Sequence, residues 1–384
     1  MINLNYYEKK IISSNNRFIL SYKESEELKK NFKNSIILIT GACGSIGQEI
    51  SKEIIKYRFS KIFFIDKDEN QLTELNREIT LIASNKKLKK IRYICVDLTS
   101  SNISNFLLKN NITHYLNFAA IKHVRSEEEF LSSKYMFLTN SICVIPKQSY
   151  NLKLFFSVST DKAVNPKSFL GISKYYMEKM MANYKKKFKN VFVSTVRFAN
   201  VAFSNGSILK YALDRIEKKR PFGIPKNICR YFITHEEACS LCFKAILKKN
   251  DGKIILPNEK ILKKQYLISD IIVKILKLKK LKFKFISKKN HIIYNKFINI
   301  LLTSSKNHGQ KNMEQLFDER KENLIYDIDD NTIVKTNLLP LDNVKLILNK
   351  INNLKNFNDL YNFLKKKFIL PYTLKKYKKV SHII

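Results

Sequence analysis

Between residues 36 and 198, short apolar runs alternate with segments whose apolar residues recur at helical spacing. The runs are Ile36–Thr40, Ile62–Asp66, Tyr93–Asp97, Tyr115–Ala119, Leu154–Thr160 and Val191–Phe198. Each is mainly apolar along its length, as strands covered on both faces are. In 45–57, Ile46, Ile50, Ile54 and Ile55 share one helical face. Further helices are predicted over 68–83, 128–142 and 168–187. Such alternation predicts an α/β fold, a Rossmann-type doubly wound parallel sheet with right-handed crossovers. After about residue 200 the rhythm changes. Helices are predicted over 207–219 and 235–248, Pro221, Pro225 and Pro257 mark loops, and the Lys/Asn/Ile-rich stretch from 250 carries no clear pattern. The expected organisation is an N-terminal arm over 1–34 with an apolar knot at Phe18–Leu20, a Rossmann domain over 35–200, and a smaller C-terminal α/β substrate region over 201–384. Segments are expected to interleave at that last boundary.

The chain has 384 residues, enough for one large domain or two linked ones. No apolar run is long enough to span a bilayer, and Met1–Lys10 is too polar for a secretory signal. The six cysteines are scattered, and the Cys239/Cys242 pair lies in a helical pattern with no second pair to complete a metal site, so core packing and a reducing cytoplasm are expected. The formal net charge is +38, but the lysines run along the whole chain in company with Asn and Ile, densest at Ile275–Asn290. That pattern reads as solvated surface rather than a nucleic-acid module, and no nucleic-acid partner is expected. Positive charge of this size attracts a nucleotide diphosphate.

The segment ILITGACGSIGQEI places Gly41, Gly44 and Gly47 between a strand and a helix, with Ser45 and Ile46 opening that helix. This is the context in which a glycine loop serves a dinucleotide: a tight turn, close approach to the pyrophosphate, and helix-on-strand packing. Asp66 at the end of the second strand suits ribose hydroxyls and favours NAD, while Lys67 leaves NADP open. Asp97, read as the end of the third strand, is placed beside the adenine. The GxxGxxG spacing, with Asp66, Asp97-Leu98 and Asn117-Phe118-Ala119-Ala120, resembles the extended short-chain dehydrogenase/reductases, in which the alanines line the nicotinamide side.

At the carboxyl end of the fifth strand stands Ser159-Thr160-Asp161-Lys162-Ala163-Val164-Asn165-Pro166, followed by Lys174 on the next helix. An acid and an amine side by side can divide acid and base work, or form a plain surface ion pair. This segment resembles the nucleotide-sugar 4,6-dehydratases of the polysaccharide-biosynthesis (CapD-like) family. Further matches are Ala120-Ile-Lys122-His123-Val124 with Glu127–Glu129, Val196–Val201, Ser204–Ser207 and Arg230-Tyr231-Phe232, and more weakly His308–Lys311 and Val380–Ile383.

The resemblance implies oxidation at C4 of an NDP-N-acetylhexosamine, UDP- or GDP-linked, then loss of water across C5–C6 and return of hydride to C6, on the way to surface polysaccharide. By position, Asp161 is the acid for the C6 hydroxyl and Lys162 the base at C5. Thr160 binds the C4 oxygen, and Lys174 holds the nicotinamide ribose. Lys122, Asn200, Asn205, Ser207 and Arg230 bind the sugar nucleotide. A homo-oligomer is also implied. One departure stands out: the superfamily's Tyr-x-x-x-Lys has Leu170 at the tyrosine position. Leucine carries no proton, which weighs against a nucleotide-sugar epimerase or reductase more than against a dehydratase, and keeps a non-catalytic NAD-binding protein as an alternative.

Overall fold

The computed structural model describes residues 4–363 apart from 14, 101, 123–128, 149, 288–296, 304–314, 329, 343–345, 347–349, 352, 357, 360 and 361. The family-like segments His123-Val124, Glu127-Glu128, His308–Lys311 and Val380–Ile383 therefore lie outside the described residues. Two helices lead in, α1 (Leu4–Ile11) and α2 (Tyr22–Phe32). The chain then alternates through β1 (Ile36–Thr40), α3 (Ser45–Ile54), β2 (Lys61–Asp66), α4 (Glu69–Ile82), α5 (Asn85–Leu88), β3 (Ile91–Cys95), α6 (Ile103–Lys109), β4 (His114–Asn117), α7 (Phe130–Phe137), β5 (Leu154–Val158), α8 (Phe169–Lys187) and β6 (Phe192–Val196). The second half adds β7 (Asn200–Val201), α9 (Ile208–Glu217), β8 (Phe222–Pro225), β9 (Cys229–Arg230), β10 (Phe232–Ile233), α10 (His235–Ala245), β11 (Lys253–Pro257), α11 (Glu259–Leu262), β12 (Tyr266–Leu267), α12 (Ile268–Leu278), β13 (Phe283–Ile286), β14 (Ile298–Thr303), β15 (Ile325–Tyr326) and β16 (Ile333–Asn337).

The main sheet has nine strands in the order β15-β16-β11-β6-β5-β4-β1-β2-β3. From β3 to β11 every pairing is parallel, and β16 and β15 close the far edge antiparallel. The order reverses between β1 and β4, and at such a switch point an open α/β sheet has its ligand crevice. Strand β5 is buried at every position and β1 at all but the first, as expected for strands sandwiched between helix layers. Helix α3 turns Ile50 and Ile54 onto the sheet, each worth about 1.5–3 kcal/mol of burial. Capping boxes start α2 (Ser21 with Glu24) and α10 (Thr234 with Glu237), satisfying amides the helices leave open.

Four strands stop two residues short of the sequence reading, β4 at Asn117 and β6 at Val196 among them, and the other two bear on the site. β3 stops at Cys95, so Asp97 lies beyond the strand, in the loop where it is tied to Thr99. β5 stops at Val158, and Thr160 instead caps a single 3-10 turn over Asp161–Ala163. In both places side-chain hydrogen bonds to backbone amides replace the ladder.

A second core gathers β8, β13 and β14 in a small parallel sheet with α9, α12 and α1, packed around Phe203, Leu209, Leu213, Ile271 and Ile275. The first helix belongs here through Tyr7 and Ile11, whereas Phe18, Leu28 and Phe32 join the main core. The N-terminal segment thus touches both cores, and Arg17 pins it by a two-pronged ion pair to the buried Glu237. The C-terminal half returns β11, β15 and β16 to the main sheet, so the two cores share chain from both halves. Cys239 and Cys242 are buried in α10, and burial raises the pKa of both thiols.

A buried charge network fixes the chemistry-bearing side of the sheet. Arg197, just past β6, forks onto Glu178 of α8 at 2.8 and 2.7 Å and onto Glu322 at 2.8 and 2.7 Å. Ser159 donates to the same Glu178 at 2.6 Å. Burial opposes the guanidinium charge, but the two carboxylates outweigh it and raise the Arg197 pKa further. Arg197→Met leaves the buried Glu178 and the part-buried Glu322 without their cation. Urea unfolding is expected to show a loss of about 3–5 kcal/mol. A loss below about 1 kcal/mol would contradict a stabilising role.

Candidate active site

Parallel pairing lines up the strand ends along one edge, neighbours spaced about 4.8 Å apart. Reading from β3 to β6, that edge carries Asp97, Asp66, Gly41, Ala119-Ala120, Thr160–Lys162 and Arg197. A crevice of about 260 Å³ opens at the switch point, lined among others by Gly41, Gly44, Asp66, Asp97, Leu98 and Ala119. Ala120 and Asn205 line it as well.

Gly41 has φ +68°, and a Cβ there would lie 2.3 Å from the Ala119 amide nitrogen. A Cβ on Gly47 would meet the Gly41 carbonyl oxygen at 2.0 Å. Those two glycines are demanded by the chain itself. Gly44 is not: its φ is −64°, its nearest neighbour would be the Gly41 oxygen at an ordinary 3.4 Å, and it is exposed. It stands at the N-cap of α3, ahead of Ser45 and Ile46, where a helix presents unpaired amides and the positive end of its dipole. A cradle left clear of any side chain at this spot fits a pyrophosphate.

Asp66 accepts from the Cys43 amide at 3.0 Å and the Lys67 amide at 2.8 Å, binding the glycine loop to the end of β2. Asp97 accepts from Tyr135 Oη and from Thr99 N and Oγ1. Burial alone would push this carboxyl up, but those hydrogen bonds and the Lys67 charge hold it below the usual carboxylate range. Asp97 therefore stays ionised.

The Thr160–Lys162 turn, the candidate chemistry loop, is internally bonded. Thr160 Oγ1 donates to Asp161 Oδ1 at 2.8 Å, and Lys162 Nζ donates to the same oxygen at 3.0 Å. Asp161 is buried, and Lys162 keeps a partly exposed amine. The loop is held from behind by Gly171 of α8, where a Cβ would stand 2.3 Å from the Lys162 carbonyl oxygen. Lys174 is buried and donates to the Val158 carbonyl at 2.8 Å. Burial lowers its pKa to about 8, with Glu178 pulling partly the other way. Leu170 is buried; Tyr176 is buried in a separate apolar cluster with Phe137 and Ile351, and Tyr175, at the margin of that cluster, lines a hollow with Val164, Asn165 and Arg197.

The sugar-side expectations scatter more. Lys122 is exposed just beyond Ala120. The Asn205 amide donates to Ser45 Oγ at 2.8 Å, joining that turn to the glycine loop. Asn200 Nδ2 is buried without a partner among the described residues, a donor suited to a ligand oxygen. Ser207 caps α9, and Arg230 is buried on β9 with Nη1 on the Cys229 carbonyl. Sequence reading missed Asn140. It sits in a π-turn over Leu138–Ile142, accepts from the Ile121 amide at 2.8 Å, and donates to the Ile121 carbonyl and to Ser173. It locks the loop after Ala120 onto α8. Tyr135, bonded to Asp97, was missed too. The helical periodicity of their stretch gave no hint of either contact.

Sheet order, glycine loop and acidic strand ends define a Rossmann-type protein with a crevice at the switch point. The model of the polysaccharide biosynthesis protein family matches residues 37–336, and the chain belongs to that family. An uncharacterized membrane protein of Methanocaldococcus jannaschii is 30% identical over 237 residues, 60% of this chain and 68% of that one. The capsular polysaccharide biosynthesis protein CapD of Staphylococcus aureus is 28% identical over 237 residues, 60% of this chain but 39% of its own length, so the chain spans well under half of that relative. The inverting UDP-N-acetylglucosamine 4,6-dehydratase of Campylobacter jejuni is 25% identical over 236 residues, 59% of this chain and 67% of that enzyme. Among solved structures, Pen from Bacillus thuringiensis superposes with TM-score 0.62 at 19% identity, covering 81% of this chain and 90% of that one. A point variant of the Bacillus cereus UDP-glucuronic acid 4-epimerase, solved with NAD and a fluorinated UDP-sugar, gives 0.53 at 18%, covering 74% and 91%.

Lys174 yields a pH signature. Its folded pKa lies below its unfolded value, so at neutral pH the buried charge costs stability, and the cost disappears as pH rises from about 8 through 10.5. Lys174→Met is expected to raise unfolding free energy at pH 7 by an amount of order 2–3 kcal/mol, an advantage that fades by about pH 10 in paired urea titrations. A gain that does not change with pH would contradict the burial of a charged amine.

Proposed function

We propose that this protein is an NAD-dependent nucleotide-sugar enzyme, and specifically a 4,6-dehydratase acting on a UDP-N-acetylhexosamine. The observation that carries the reading is the Thr160–Asp161–Lys162 hydrogen-bonded group at the end of β5, next to the strand that carries Ala119-Ala120, with Leu170 where an epimerase would need a proton-carrying tyrosine. The Campylobacter relative supports the reaction and the UDP sugar, and the NAD-bound epimerase supports the cofactor. Asp66, Gly44 and the start of α3 would hold the dinucleotide, with Ala119 and Ala120 toward its nicotinamide.

Bound NAD supplies a hydride acceptor at C4 that later serves as hydride donor at C6. Thr160 joins a C4 hydroxyl to the buried Asp161 carboxylate by one relay, so the proton released on oxidation at C4 passes through Thr160 to Asp161. The resulting ketone acidifies the C5 proton, which Lys162 removes. Asp161 then gives its stored proton to the departing C6 hydroxyl, which leaves as water. Reduction at C6 is completed when the Lys162 ammonium, whose hydrogens exchange with solvent, gives a proton to C5. Both side chains end as they began, and the sugar has lost one water. Lys174, beneath Val158, adds positive potential on the nicotinamide side, and Asn200, Asn205, Ser207, Arg230 and Lys122 are assigned to the sugar nucleotide.

Mass spectrometry of the protein with UDP- or GDP-N-acetylglucosamine in deuterated water tests this directly. The expected product has lost one water and gained one deuterium. A product of unchanged mass would point to an epimerase, and cofactor binding without turnover to a non-catalytic protein. Asp161→Asn is expected to slow turnover by about 10²–10⁴. For Gly44→Ala, calorimetry with NAD should show affinity weakened by about tenfold or more as the methyl group enters the pyrophosphate cradle, while folding stability changes by about 1 kcal/mol or less. Unchanged affinity would remove the cradle from this site.

A further inference from the structure

Opposite the crevice lies the edge where the parallel strands begin, and the segments there are rich in cations. The segments entering β1, β2, β3, β4, β5, β6 and β11, some with the last residues of the preceding helix, cover 33–35, 55–60, 83–90, 108–113, 143–153, 185–191 and 246–252. Every one of them carries lysine or arginine, from Lys33 and Arg58 through the Lys86–Lys90 and Lys185–Lys189 stretches to Lys248 and Lys249. Asp251 is the lone carboxylate in all of these loops, and it is held by Lys185 Nζ at 2.6 Å and the Val193 amide. At the crevice edge the signs are mixed, with Asp66, Asp68, Asp97 and Asp161 among Lys67, Lys162 and Lys167. Carboxylates of adjoining elements meet some of the cations at the strand-start edge: Glu53 pairs with Lys56, and Glu24 and Asp327 with Lys249. Some of these cations serve the fold: Lys87 and Lys90 donate to the Ile55 and Phe59 carbonyls. Lys33, Lys86, Lys89, Lys109 and Lys186 are exposed.

A second observation lies at the same edge. The C-terminal ends of α4 and α6 point there and expose large aliphatic side chains, Leu81 at 86%, Ile82 at 55% and Leu108 at 49%. The aromatic rings nearby are taken up by the core: Tyr57 packs on Phe32 and Phe243, and Phe188 on Tyr184. A single-stranded nucleic acid uses exposed rings as stacking platforms. A bilayer surface uses cations for anionic headgroups and aliphatic side chains at the headgroup–acyl boundary.

We propose that this edge docks the protein on an anionic membrane surface, with the crevice facing the aqueous phase on the far side. No helix among the described residues is long and apolar enough to cross a membrane, and attachment here needs none. The test is co-sedimentation of the full chain with vesicles of phosphatidylcholine and phosphatidylglycerol, against vesicles of phosphatidylcholine alone. Binding is expected to the anionic vesicles and to be released by high salt. The combined variant Lys86→Glu, Lys89→Glu, Lys109→Glu, Lys186→Glu should weaken partitioning about tenfold or more. A variant of equal charge change elsewhere, Lys226→Glu, Lys260→Glu, Lys277→Glu, Lys284→Glu, should bind as wild type. All eight side chains are exposed, so both variants should unfold at the wild-type urea midpoint. Leu81→Ser with Ile82→Ser should weaken binding without altering its salt dependence. Equal losses in both charge variants would reduce the effect to net charge and overturn the proposal. So would absence of vesicle binding, or edge-dependent binding of poly(U) RNA in preference to vesicles.

Discussion

At three places on the crevice side, backbone meets backbone with no room for a methyl group between. Gly41 lies against the chain at Ala119, Gly47 against the Gly41 carbonyl, and Gly171 against the Lys162 carbonyl. The first two bring β1, its following helix and the end of β4 to one point beside the switch-point crevice. The third presses α8 onto the chemistry loop, so that Thr160, Asp161 and Lys162 are presented from a braced turn rather than a free one. Steric contact of this kind is not adjustable in small steps, because interiors are close-packed and a single added carbon must displace backbone. The distances within the site descend from these contacts.

Polar bonding supplies what the backbone contacts leave unfixed. Asn117 accepts from Thr40 and donates to Ser157, tying β1, β4 and β5 in their buried interior. Asn140 holds Ile121, and the Ser159–Glu178–Arg197–Glu322 network anchors the start of the chemistry loop to α8 and to residues far along the chain. Each of these groups has a complementary partner, which is the condition under which such networks hold a geometry instead of weakening it. Asn200 Nδ2 lacks one among the described residues, on the side assigned to the sugar.

The alternation of strands and helices through 198 was legible because continuous apolar runs and helical stripes are local signals. Gly41, Asp66 and the Thr160–Lys162 group could be placed for the same reason. Strand ends were less legible: Asp97 and Thr160 stop their strands by binding backbone amides, which apolar patterning does not register. The second half was opaque because β11 and β16 carry lysines among their apolar residues. Their membership of the main sheet depends on partners distant in sequence, such as Lys335 reaching Asn250 and Asp327. Asn140 and Glu322 escaped notice because their role exists only once the chain has folded.

The central claim is that one hydride leaves C4 and returns to C6 of the same sugar while Thr160, Asp161 and Lys162 carry the protons. The most direct measurement uses UDP-N-acetylglucosamine deuterated at C4, with the position of the label in the product read by NMR. Deuterium is expected in the C6 methyl group of a 4-keto product. Deuterium found again at C4, or released on free reduced cofactor, would contradict the claim.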